Sequence, residues 1–144
     1  RGLPYRLASL LLHLMAGAVV GLIGKALPLT FGDGFVQIES LLTNGVHQYG
    51  ARQLWYTLLS KIFLLGFSLG FGFVGGQILP CMFIGCCLGQ LLSYYFPGLP
   101  WSLTVPCLFS AVPVAFAPIP FTMALTAEYV FVLGPSRSAA VFAA

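Results

Sequence analysis

The residues of this chain best suited to chemistry are a run of nearly bare backbone, Gly72-Phe73-Val74-Gly75-Gly76-Gln77-Ile78-Leu79-Pro80, opening directly into the uncharged stretch Cys81 to Phe96. Gly72, Gly75 and Gly76 let the main chain turn sharply and approach a ligand. Pro80 suits the first turn of a helix, where the N–H groups lack intrahelical partners in any case. A helix start of this kind offers free amides and roughly half a positive charge, which suits an anion. Inside a membrane it suits an anion that has to leave again.

Other candidates point to less. Cys81, Cys86, Cys87 and Cys107 form no CxxC pair, and His13 and His47 do not stand at ligand spacing, so the cysteines read as small apolar packing residues and no metal is expected. Asp33, Glu39 and His47 invite an acid–base or metal reading, but their spacing does not align them on one helical face, and a solvated loop is expected there. No Ser/His or paired-Asp arrangement lies at catalytic spacing, so the chain is not expected to be an enzyme. His13 reads as a hydrogen-bonded helix contact. Lys61 admits two readings: its stem could snorkel to the membrane interface, or its ammonium could face an aqueous anion path.

The elements that must hold the glycine turn are apolar helices. Hydrophobic residues make up 59% of the chain and charged residues 6%, and no Asp, Glu, Lys or Arg occurs between Lys61 and Glu128. That interval accommodates two or three membrane helices of about 20 residues each. The net charge of +3 comes from scattered residues, Arg1, Arg6, Lys25, Arg52, Lys61 and Arg137 among them, so no nucleic-acid partner is expected. The partner of such a surface is the lipid bilayer, and no cofactor is implied.

The pattern predicts a helix over 7–27, a short one over 35–42, helices over 53–71 and 77–96, a short one over 102–116 and another over 120–133. Arg1 to Gly24 has basic residues ahead of an apolar run, as a signal peptide does, but the run is too long and a membrane helix is expected. Gly17-x-x-x-Gly21 predicts close helix packing in the first span. Trp55 and Tyr56 are plausible interfacial anchors for the third. Pro97, Pro100, Pro106, Pro113, Pro118 and Pro120 interrupt the later segments. Broken helices survive at membrane depth only when buried in protein or lining a cavity. The expected fold is an all-α, multi-pass integral membrane protein with tilted and broken helices. A start at Arg1 without methionine and a stop at Ala144 suggest a piece of a longer protein.

At this point the chain resembles the CLC family of chloride channels and chloride–proton exchangers. The family's membrane domain has a helix opening of the form G-x-x-x-G-x-F-x-P, matched by Gly72 to Pro80, followed by a small-residue-rich helix similar to Gly85-Cys86-Cys87-Leu88-Gly89-Gln90. The segment Trp55 to Phe67, carrying Lys61, looks like the family's approach to that turn, and Ala117-Pro118-Ile119-Pro120, with Glu128 downstream, is similar to its A-P-L-T helix opening. The chain departs in having Ile78 at the aromatic position and the more polar Gln77 before it.

The resemblance implies most of the second half of a CLC membrane domain. It implies chloride as substrate, passive or proton-coupled transport, and a homodimer with one path per subunit. It also implies that the backbone N–H groups of Gln77 and Ile78 contribute to the ion site, with Gly72, Gly75, Gly76 and Pro80 shaping the turn. The serine motif G-S-G-I-P and the gating motif G-K/R-E-G-P belong to the family's first half, so this segment is expected to hold part of the site and no gate. The alternatives are a secondary carrier of another fold, with substrate-binding side chains on an inverted repeat, and a non-transporting membrane subunit whose glycines only allow tight packing.

Overall fold

The structure is a computed structural model that describes residues 3–32, 34–73, 75–132 and 135–143, with the side chains of all but 3–6, 44, 47 and 135–138. Among the described residues seven α-helices and one short 3-10 turn make up the regular structure, and no strand occurs. Helix α1 spans Leu3–Ala26 and a short 3-10 turn follows at Pro28–Thr30. Then come α2 (Phe35–Tyr49), α3 (Ala51–Gly70), α4 (Ile78–Tyr95), α5 (Trp101–Phe116), α6 (Pro120–Phe131) and α7 (Pro135–Ala143).

Helix α4 is the centre of the fold, packed by α2, by α3 and most extensively by α5. Its stretch Cys81 to Gly89 is apolar on every face, as the enclosed part of a helix must be, and Phe83, Cys86 and Cys87 are fully buried. Gly85 and Gly89 make the α5 contact possible. A Cβ on Gly89 would stand 2.6 Å from the Val105 Cα, and one on Gly85 would run into the Leu108 carbonyl, so both positions exclude any side chain. Close backbone approach between small residues is how membrane helices gain packing energy when lipid is as apolar as leucine.

Helix α5 answers with a stripe of Val105, Pro106, Phe109, Ser110 and Pro113. Its interior prolines each remove a backbone donor, and Ser110 Oγ donates to the carbonyls of Pro106 (3.2 Å) and Cys107 (3.0 Å) of the preceding turn. Helix α3 turns a stripe of Leu54, Thr57, Leu58, Lys61 and Leu64 inward, the 3–4 residue spacing of one helical face.

Several expectations change. The helix expected over 35–42 continues to Tyr49, because Gly45 takes φ 52°, ψ −150° and lets the chain kink and resume helix instead of leaving as a loop. The close packing expected at Gly17 and Gly21 is absent among the described residues: a Cβ at either meets nothing within 4 Å. Helix α1 exposes Leu10, Leu11, Leu14 and Met15, and the tight crossing falls to Gly85 and Gly89 instead. Among the described residues two helices are long and apolar enough to cross a membrane, Leu7–Ala26 within α1 and Ile78–Tyr95. Helix α3 has 20 residues but carries Arg52 and Lys61 and is not one of them.

Candidate functional site

The glycine turn begins by ending α3. Gly72, at φ +78°, donates its N–H to the Leu69 carbonyl at 3.0 Å, and Phe73 donates to the Ser68 carbonyl at 3.0 Å. This pair of bonds is the Schellman arrangement, which needs a left-handed residue where Gly72 stands. Gly75 and Gly76 play a different part. Neither has positive φ, and a Cβ on either would meet nothing within 4 Å. Local geometry therefore does not demand glycine there; what the missing side chains leave is uncovered backbone.

That backbone lines a cavity of about 470 Å³, bounded by α1, the Pro28–Gly32 segment, α3 and the start of α4. Gly75, Gly76, Gln77 and Pro80 are in its wall, whereas Gly72 and Ile78 are not. Gln77 caps α4, and its carbonyl accepts the N–H of Cys81 at 3.2 Å. Among the described residues no acceptor meets the N–H groups of Gln77, Ile78 or Leu79, and Pro80 has none to give. A second cavity of about 450 Å³ lies at the other end of α4, beside Gln90, Ser93 and Tyr94. It faces the carbonyl end of the helix dipole, which repels anions, so polarity assigns the amide end as the candidate anion site.

Lys61 is the charged side chain of the first cavity, and it neither snorkels nor stands open to water. It is 4% exposed, and its Nζ donates to the carbonyls of Thr30 at 2.9 Å and Gly32 at 2.7 Å. The intervening Phe31 carbonyl accepts Gln37 Nε2 at 2.6 Å. Three successive carbonyls at the end of the 3-10 turn and just beyond it are thus satisfied by side chains, as backbone outside a regular helix requires where water is excluded. The ammonium also lies 5.4 Å from the centroid of the fully buried Phe83 ring, an additional cation–π attraction. Sequence reasoning missed this arrangement because the partners lie 29 and 31 residues away. The available signal was a lone lysine in an apolar segment, since such residues pair with one another or with backbone carbonyls.

The remaining candidates stay apart. His13 Nδ1–H donates to the Ser9 carbonyl of its own helix at 2.6 Å, and its ring meets Phe73 edge-on at 5.7 Å between centroids. Glu39 is exposed, while Asp33 and the His47 side chain lie outside the described residues. Glu128 is half-buried on α6 and does not line the cavity. Cys81, Cys86 and Cys87 are buried free thiols, and Cys107 is partly exposed.

A helix start whose amides meet no acceptor among the described residues, in a structure whose described residues form helices and no strand, agrees with the comparisons to known proteins. The voltage-gated chloride channel family matches residues 1–131. Over 94 residues the chain is 27% identical to proteins of Escherichia coli (strain SMS-3-5 / SECEC) and Escherichia fergusonii, each named provisionally as the ion-transport protein YfeO. A counterpart from Escherichia coli O1:K1 is 26% identical over the same length. These alignments take in 65% of this chain and 22% of each relative, so the matched region spans about a fifth of the curated proteins. No solved structure matches the chain at a significant level. The family match covers far more than half of the sequence, and the chain belongs to the voltage-gated chloride channel family, whose members are membrane-embedded ion channels and transporters.

Proposed function

We propose that the complete protein carries chloride or a similar small anion across a membrane, and that this segment supplies one wall of the path. The observation that carries the reading is the start of α4. Its amides at Gln77 and Ile78 have no protein acceptor among the described residues, and Gly75 and Gly76 leave the adjoining backbone open to the cavity. An anion there replaces part of its hydration shell with N–H dipoles and meets no full positive charge dedicated to it, so binding stays weak enough for release. The helices would cross the membrane several times, and the site would be completed by parts of the protein outside this segment. A homodimer with one path per subunit, and either passive or proton-coupled movement, complete the proposal.

The test is anion flux from liposomes containing the complete parent protein. Chloride efflux well above that of empty vesicles, with or without an accompanying proton flux, is the expected result. Proton movement tied stoichiometrically to chloride would assign an exchanger, and its absence a channel. No chloride or nitrate efflux from folded, correctly inserted protein would overturn the reading in favour of a non-transporting membrane subunit.

A further inference from the structure

We propose that Lys61 is a positioning residue for the amide end of α4, a role that rests on the anion-transport reading above. Three contacts carry the argument. From α3, the Lys61 ammonium holds the carbonyls of Thr30 and Gly32 at 2.9 and 2.7 Å, so the segment after α1 cannot shift along α3 without breaking charge-assisted bonds. The same segment ends at Gly34, where a Cβ would stand 3.0 Å from the Phe83 Cβ and 3.7 Å from the Leu79 carbonyl, so it seats against the first turns of α4. The Phe83 ring itself lies under the ammonium, 5.4 Å from Nζ. Lys61 therefore touches the segment and the helix that the segment braces.

What is braced is the stretch whose amides meet no acceptor among the described residues. Phe83 lies five residues after Ile78 on a rigid helix, and rotating or sliding α4 at Phe83 moves the Gln77–Leu79 amides by the same amount. Amide dipoles act on an ion over a short range and in a fixed direction, so a shift of about 1 Å at the site is costly to binding. A methionine at position 61 would keep the apolar stem but leave the Thr30 and Gly32 carbonyls without the ammonium that satisfies them in a dry setting.

The test uses the complete protein in detergent and in liposomes, with two readouts: chloride affinity by calorimetry, and hydrogen exchange at the Cys81–Phe83 amides, where the first turn of α4 closes. Lys61→Met is expected to weaken chloride binding about ten-fold and to speed that exchange about ten-fold, leaving α5 amides unchanged. Lys61→Arg, whose fork can reach both carbonyls, is expected to keep both readouts within about three-fold of the parent. Should Lys61→Met fail to accumulate, Lys61→Gln, which keeps a shorter, uncharged donor, is expected to move both readouts in the same direction. Unchanged affinity and exchange in the Met or Gln variant would overturn the proposal. So would faster exchange without weaker binding in a parent that does bind chloride, or an Arg variant as impaired as Met. A parent that binds no chloride would sink the transport reading instead, and the proposal about Lys61 with it only if the exchange at α4 also stays unchanged.

Discussion

Helices α1 and α4 both pass for membrane spans by length and composition, and the structure uses them in opposite ways. Only 11% of the α1 span is buried within the fold, against 56% of α4. Both contain glycines four apart. Gly17 and Gly21 face open space, whereas Gly85 and Gly89 lie against the backbone of α5. Both contain a polar side chain within the span. His13 bonds back to its own helix, whereas Gln90 donates across 49 residues to the Leu41 carbonyl of α2 at 3.0 Å. Hydropathy says only that a helix can sit in lipid; whether it faces lipid or holds a site depends on what reaches it from elsewhere in the chain. The candidate anion site lies at the amide end of the helix that other elements hold, which is where amides can be kept in fixed directions.

The sharpest way to break this contrast is to add a side chain to each glycine pair. In α4, Gly85→Leu forces the Leu108 backbone to move, and backbone cannot rotate out of the way as a side chain can. Overpacking of a tight contact costs about 1–3 kcal/mol and more when main chain must shift, so this variant is expected to lose most folded protein, read by thermal unfolding or size-exclusion profile in detergent. In α1, Gly17→Leu meets no atom within 4 Å of its Cβ and is expected to fold as the parent does. Equal damage from both would mean that α1 has a tight partner and that the contrast is false.

The next step down compares the two polar side chains. Gln90→Leu removes the side-chain donor to the carbonyl of the fully buried Leu41, and a lost buried hydrogen bond costs about 0.5–1.5 kcal/mol. His13→Leu loses a bond internal to an exposed helix turn and the edge-on contact with Phe73, and is expected to cost less than about 0.5 kcal/mol. Thermal unfolding of the two variants side by side checks the difference. Stability losses of the same size would show that α1 is anchored through His13 as firmly as α4 is through Gln90.

How much of this was legible in the sequence follows the range of the interactions. The helical class and the break at Gly72 were readable, because apolar runs and glycine at a left-handed C-terminal position are local signals. The kink at Gly45 was not, because a glycine followed by more helix-forming residues looks the same as a glycine ending a helix until α4 packs against it: a Cβ at Gly45 would lie 2.9 Å from Gln90 Oε1. Gly17-x-x-x-Gly21 and Gly85-x-x-x-Gly89 are the same pattern with different outcomes, since a pattern of small residues permits close approach without supplying the partner. At the site, the glycines and Pro80 announced exposed amides, but the role of Lys61 depended on carbonyls that only the fold brings to it.

The smallest effect expected is at Ile78, and it separates main chain from side chain at the site. Ile78 opens α4, is 37% exposed, and does not line the cavity, although its amide is one of those that meet no acceptor among the described residues. Ile78→Phe restores an aromatic residue at a partly open position and leaves the N–H where it is. If the ion is held by backbone dipoles, chloride affinity in the complete protein should change by less than about three-fold, under about 0.7 kcal/mol, measured by calorimetric titration. Replacing the Gln77–Ile78 amide by an ester, which deletes the same N–H and keeps the isoleucine side chain, should weaken binding more than the phenylalanine does. The reverse order would mean that the side chain at position 78, and not the amide, sets the affinity, and α4 would then be a pore wall whose uncovered amide end is incidental.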